Sequence, residues 1–185
     1  MFLKILVSVD YRAILATIIV VLLMFVILYI TLLVFSFVFM SIFKNKIKQG
    51  KEKINVILFQ KYDSLMKFIS LYEDKIKPNS PLLIFSNNEE LQKYNELKPE
   101  EFEEVSSYYE SMVTYAKKIF INENDELNFS YGKEILDNIE ELNNKFLEAI
   151  QLYNTNVIGF NYWRNLFSTK RIKNILFIKE IEPIK

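Results

Sequence analysis

From Ala13 to Phe43 the chain runs AILATIIVVLLMFVILYITLLVFSFVFMSIF, 31 residues without a charge. A bilayer core is spanned by roughly 20 helical residues. A helix over the whole run would reach about 46 Å at 1.5 Å per residue, so it must tilt or continue into the headgroup zone. No Gly, Pro, Asn or Asp interrupts the run to turn it back on itself, which argues against a two-span hairpin. A cleaved signal peptide is the rival reading, but its apolar core is about 7–15 residues with a small-residue cleavage site behind it. Here the core is twice that length and the segment that follows, FMSIFKNK, is a poor site. The expectation is one retained transmembrane helix over 13–43, preceded by a short flank over 1–12.

Five lysines follow the run, Lys44, Lys46, Lys48, Lys51 and Lys53, against Lys4 and Arg12 with Asp10 before it. Excess Lys and Arg marks the cytoplasmic flank of a span. The juxtamembrane segment 44–53, and the large C-terminal part with it, are therefore expected on the cytoplasmic side. The same five lysines are candidate contacts for anionic lipid headgroups, each worth about 1 kcal/mol near the surface. Membrane lipids are thus expected partners, although the favoured reading of these lysines is a plain topology signal.

Beyond the lysines the apolar residues repeat with helical period. Ile54, Leu58, Tyr62, Leu65, Ile69, Tyr72 and Ile76 are spaced three or four apart, the signature of one buried helix stripe. Lys77-Pro78 is its expected end. Nothing between Phe43 and Ile54 breaks a helix, so the span and this stripe are expected to be nearly continuous. Ser86 followed by Glu89 resembles a capping box, predicting a short helix through Leu97. Pro99 suits a first helical position, and Phe102, Val105, Tyr109, Met112, Ala116 and Ile119 continue from it as a second stripe. After the polar interruption INENDELN comes a third: Ile135, Ile139, Leu142, Phe146, Ala149, Tyr153 and Phe160, with Asn156 and Val157 near its missing step. Only 3 Gly and 4 Pro occur in 185 residues, too few turn residues for a many-stranded β fold. Helices with one apolar face each must bury those faces on one another. The expected fold is all-α: an N-terminal transmembrane helix followed by an antiparallel bundle of three to four helices over 54–168, with a basic-apolar tail over 169–185.

Several chemistries are closed by composition. There is no His and no Cys, which removes the Ser-His-Asp triad, the Glu-x-x-His di-metal template and any disulfide or cysteine-metal framework. Glu100, Glu101, Glu103 and Glu104 crowd one place, but acidic residues in a helix first turn complement the helix dipole. Gly50, Gly132 and Gly159 stand alone, so no phosphate-cradling loop is present. Lys plus Arg and Asp plus Glu balance at 23 each, and no basic track for nucleic acid emerges. The tail YWRNLFSTKRIKNILFIK alternates Trp163, Phe167, Ile172, Leu176 and Phe177 with Arg164, Lys170, Arg171, Lys173 and Lys179. It is expected to pack the bundle base, with lipid contact as the second reading. No cofactor is expected. The richness in Lys, Ile, Asn and Phe fits an AT-rich bacterial genome.

Two blocks carry a family resemblance. INVILFQKYDSLMKFI, residues 54–69, and LYNTNVIGFNYWRNLFS, residues 152–168, resemble the two signature regions of the LemA family. Ile54, Val56, Leu58, Lys61, Asp63, Leu65, Phe68 and Ile69 match the first in type. Tyr153-Asn154, Val157, Phe160-Asn161 and Phe167 match the second. Met66-Lys67 stand where the family has Pro-Asn, and Ser168 where it has Pro. The resemblance implies a single-pass protein of the bacterial inner membrane whose soluble helical bundle acts in envelope-associated assemblies, with no agreed enzymatic activity. Unidentified membrane or envelope proteins are the partners it implies.

Within those blocks, Tyr62 and Asp63 admit two readings. One places Asp63 at the bundle boundary in an i,i+4 pair with Lys67. The other gives Tyr62 and Asp63 a buried polar contact with Asn154 or Asn161, fixing helix register. The function expected is a non-enzymatic, membrane-anchored bundle that binds partner proteins. A carboxylate-only metal protein or hydrolase, and a homo-oligomeric coiled coil, are the alternatives.

Overall fold

The structure, a computed structural model, describes residues 11–87, 97–121, 126–165 and 179–184. The described elements are helical, with no strand among them. Helix α1 runs unbroken from Tyr11 to Leu71, 61 residues and so about 90 Å long. A 3-10 turn over Glu73–Lys75 follows, then the short α2 at Pro81–Ser86. A 3-10 turn at Pro99–Glu101 leads into α3, Phe102–Phe120, and α4 covers Glu126–Asn165. The chain is all-α with a helical bundle, as the three stripes require.

The stripe from Ile54 to Ile76 is buried throughout, but the α-helix gives way at Leu71, ahead of Pro78. The Tyr72 carbonyl accepts from both Lys75 N and Ile76 N, so the last turn tightens and Ile76 enters the core from outside the helix. Pro99 opens α3 through its 3-10 turn, where the Glu101 carboxylate accepts the Lys98 backbone N–H at 2.7 Å. Ser86 does not begin a helix. It closes α2, its hydroxyl donating to the Leu83 carbonyl at 2.9 Å, while Ser80 caps the start and Pro81 takes the first helical position. Pro81 suits that position because it has no N–H to leave unsatisfied. Most of the segment expected to be helical up to Leu97 lies outside the described residues.

Helices α1 and α4 run antiparallel as the long seam of the molecule, joined across by Tyr72 beside Gly132, Gly50 beside Tyr153, and Phe43 beside Gly159. All three glycines of the chain lie on this seam. Each removes a β-carbon where an aromatic ring of the facing helix passes. Helix α3 rises in the same direction as α1. Ser106 meets Lys61, while Tyr115, Lys118 and Ile119 lie beside Lys75, Lys77 and Ser80 at the far end. Between α1 and α3 the chain therefore has to come back down the bundle, and α2 lies on this return. Its Phe85 packs among Tyr62, Tyr108 and Tyr109.

The long apolar run divides in two. Residues 11–32 are exposed all round, whereas Ser36 and Met40 are buried and Leu33 and Phe43 are partly so. Phe39 stacks on Trp163 with ring centroids 4.5 Å apart. The bundle thus begins near residue 36, well below the expected start at Ile54. What remains, 13–35, bare but for the partly covered Leu33, is about 35 Å of helix, close to the ~30 Å of a hydrocarbon core. The apparent excess length of the run is taken up by packing against the end of α4. Helix α1 is long and apolar enough to cross a membrane, and its most apolar 18-residue window has no buried residue.

Candidate functional site

Tyr62 and Asp63 part company in the structure. The Tyr62 ring enters the core beside Phe85. Asp63 stays half exposed and pairs with Lys67 at 2.7 Å, the first of the two readings. The expected contact with Asn154 or Asn161 does not form, and the antiparallel seam shows why. Tyr153 faces Gly50, so Asn154 lies about 13 residues, or roughly 20 Å of helix, from Asp63 along the bundle. Both Asn residues are committed elsewhere.

Asn154 and Asn161 hold the C-terminal segment 179–184 by its backbone. Asn154 Nδ2 donates to the Ile184 carbonyl at 2.7 Å and its Oδ1 accepts from Ile184 N at 2.8 Å. Asn161 does the same at Ile181, at 2.7 and 3.3 Å. A side-chain amide carries one acceptor and paired donors, so each Asn imitates the ladder of a neighbouring strand. The geometry closes numerically. Two helical turns separate Asn154 from Asn161, about 10.5 Å, and three extended residues cover about 10 Å. Arg164 adds an ion pair to Glu180 at 2.8 Å. Ile184 is buried and, with Glu182 and Pro183, lines a cleft of about 220 Å³ against Pro99, Glu100 and Glu103 at the foot of α3. Pro183 suits this strap, having no N–H to satisfy and holding Glu182 extended. The rest of the tail, including Phe167, Lys170, Arg171, Ile172, Lys173, Leu176 and Phe177, lies outside the described residues.

Lys61 is the least expected feature. Its side chain is fully buried, with Nζ 3.4 Å from the Ser106 hydroxyl and 5.0 Å from the centre of the Phe146 ring. Burial pulls its pKa down to about 8, while the nearby Glu110 carboxylate opposes the shift. The signal was present in the sequence. Leu58, Lys61, Leu65 and Phe68 step by three and four residues, and all four are completely buried. The stripe's centre line therefore runs through Lys61, with Tyr62 on its margin. Ser64 follows one turn later, accepting from Asn138 Nδ2 at 3.0 Å across the seam. The Tyr153 hydroxyl, also buried, has its pKa raised by burial and by Glu100.

Of the five lysines after the apolar run, Lys44, Lys46, Lys48 and Lys53 are exposed and Lys51 is half-buried. Lys46 lies over Phe43 and Lys48 is 3.9 Å from Glu52. They flank the buried face of Ile47, Gly50 and Ile54 on the bundle side of the bare apolar segment. Nearer the bare segment, level with Phe39, stand Trp163 and its neighbour Tyr162 at the end of α4, aromatic residues of the kind that sit at headgroup level. Among the described residues no three carboxylates come together as a metal site.

Compared with family models, curated proteins and solved structures, the chain matches none.

Proposed function

We propose that this chain is a membrane-anchored, non-enzymatic helical bundle that binds partner proteins, LemA-like in plan, in the inner membrane of a bacterium. The observation that carries the reading is the continuity of α1. One helix passes without a break from a bare apolar cylinder into the core stripe of the bundle. Such a helix sets the bundle at a fixed height and angle above a bilayer, which suits a scaffold. The lysines, with Tyr162 and Trp163 between them and the bare segment, support an interface there. The lysine balance favours a cytoplasmic bundle.

The chain has no cysteine, so a single thiol placed at the exposed Ser107 on α3 reports its side. Ser107→Cys is expected to sediment with membranes, resist carbonate extraction, and react with an impermeant maleimide only after the cells are opened. Extraction by carbonate overturns the anchor, and labelling of intact cells overturns the cytoplasmic orientation.

A further inference from the structure

The strap at 180–184 is held in a way that does not depend on its being part of the same chain. Asn154 and Asn161 take only backbone N–H and C=O groups, and such pairing is indifferent to the side chains of the segment it holds. Selectivity is left to three places. Arg164 takes an acid at Glu180, and apolar side chains are partly buried at Ile181 and buried at Ile184. The third is the cleft at the foot of α3, which the strap lines with Glu182, Pro183 and Ile184. Glu182 shares that cleft with Glu100 and Glu103, a meeting of like charges that disfavours the bound segment.

We propose that this face of α4 is a receptor groove for an extended segment of a partner protein, of the pattern acid–apolar–basic–any–apolar, kept closed in the free molecule by the chain's own mismatched tail. The inference rests on the partner-binding reading above and names the chemistry of the partner. The segment runs opposite to α4, so its N-terminal acid lies nearest the bare apolar part of α1. A tethered tail competes at an effective concentration on the order of mM, and the charge mismatch at Glu182 lets a better-matched segment displace it.

The test uses the full chain in detergent micelles and two labelled heptapeptides, the native tail sequence KEIEPIK and its Glu182→Lys form KEIKPIK. The double variant Ile181→Asp/Ile184→Asp vacates the groove. It is expected to bind KEIKPIK at least tenfold more tightly than the unsubstituted chain does. KEIKPIK should also bind this variant several-fold more tightly than KEIEPIK, and the gap should shrink in high salt. Adding Asn154→Leu and Asn161→Leu should abolish binding of both. Equal binding to vacated and unsubstituted chains, or binding indifferent to the two Asn residues, overturns the groove. Equal affinity for the two peptides overturns the assigned pattern.

A second measurement needs no disruptive substitution. A spin label at Lys179→Cys, an exposed position, should gain mobility as excess KEIKPIK displaces the strap. Unchanged mobility at several mM peptide, above the tether's effective concentration, overturns displacement. Neither readout depends on bilayer orientation, so failure here is distinct from failure of the anchor in fractionation and labelling.

Discussion

The Tyr72 hydroxyl occupies the place where a β-carbon on Gly132 would stand, and from there it donates to the Asn128 carbonyl at 2.7 Å. The contact locks the far end of the α1–α4 seam. Gly132 is costly in a helix interior, by about 1 kcal/mol relative to Ala, yet Ala cannot be accommodated without moving a buried ring.

Gly132→Ala is therefore expected to destabilise the bundle by about 1–3 kcal/mol despite its better helix propensity, since overpacking outweighs propensity. Combined with Tyr72→Phe, which removes the clashing oxygen, it should cost less than the sum of the two single changes. A double-mutant cycle by urea denaturation in detergent checks this. An additive result would mean that the two residues do not meet.

Lys61 makes stability depend on pH in a stated direction. Its pKa is about 8 in the fold against 10.5 for the free side chain. Below pH 8 both folded and unfolded states hold the proton, and the fold carries the full cost of a buried ammonium, roughly 3 kcal/mol from the size of the shift. Between pH 8 and 10.5 only the unfolded chain keeps the proton, so stability rises with pH. Lys61→Met is expected to be more stable than the native chain at pH 7 by about 1–3 kcal/mol. The advantage should shrink as pH approaches 10. Denaturation at pH 7, 8.5 and 9.5 reads the difference, staying below the range where Tyr153, with its raised pKa, begins to lose stability as pH climbs.

Trp163 is the chain's one tryptophan and stacks on Phe39, about four residues, or 6 Å, beyond the bare helix. In vesicles its fluorescence should be quenched more by lipids labelled near the headgroup than by lipids labelled at the chain terminus. The opposite order would place the end of α4 inside the bilayer core and move the anchor boundary.

Loss of one rung of the strap should be local. Asn161→Leu removes two hydrogen bonds worth about 1 kcal/mol each, so the Ile181 amide is expected to exchange at least tenfold faster in hydrogen-exchange measurements. The Ile184 amide, held by Asn154, should change less. Equal acceleration at both would show that the strap opens as a unit.

What the sequence by itself determined is whatever depends on near neighbours in the chain. The uncharged run, the three stripes and the shortage of Gly and Pro are local patterns with period near 3.6, enough to define an all-α chain, its main helices and the continuity of α1. The Asp63–Lys67 pair was legible for the same reason, being one turn apart on a single helix. Only tertiary structure decided the rest, because it depends on which residues stand level across the seam between α1 and α4. That register placed Asn154 and Asn161 out of reach of Asp63 and against the tail. It set each glycine opposite an aromatic ring, and let the end of α4 cover the last third of the apolar run. Lys61 falls between the two cases. Its position on the stripe was visible, but its burial depended on Ser106 and Phe146 arriving from α3 and α4 to receive the ammonium.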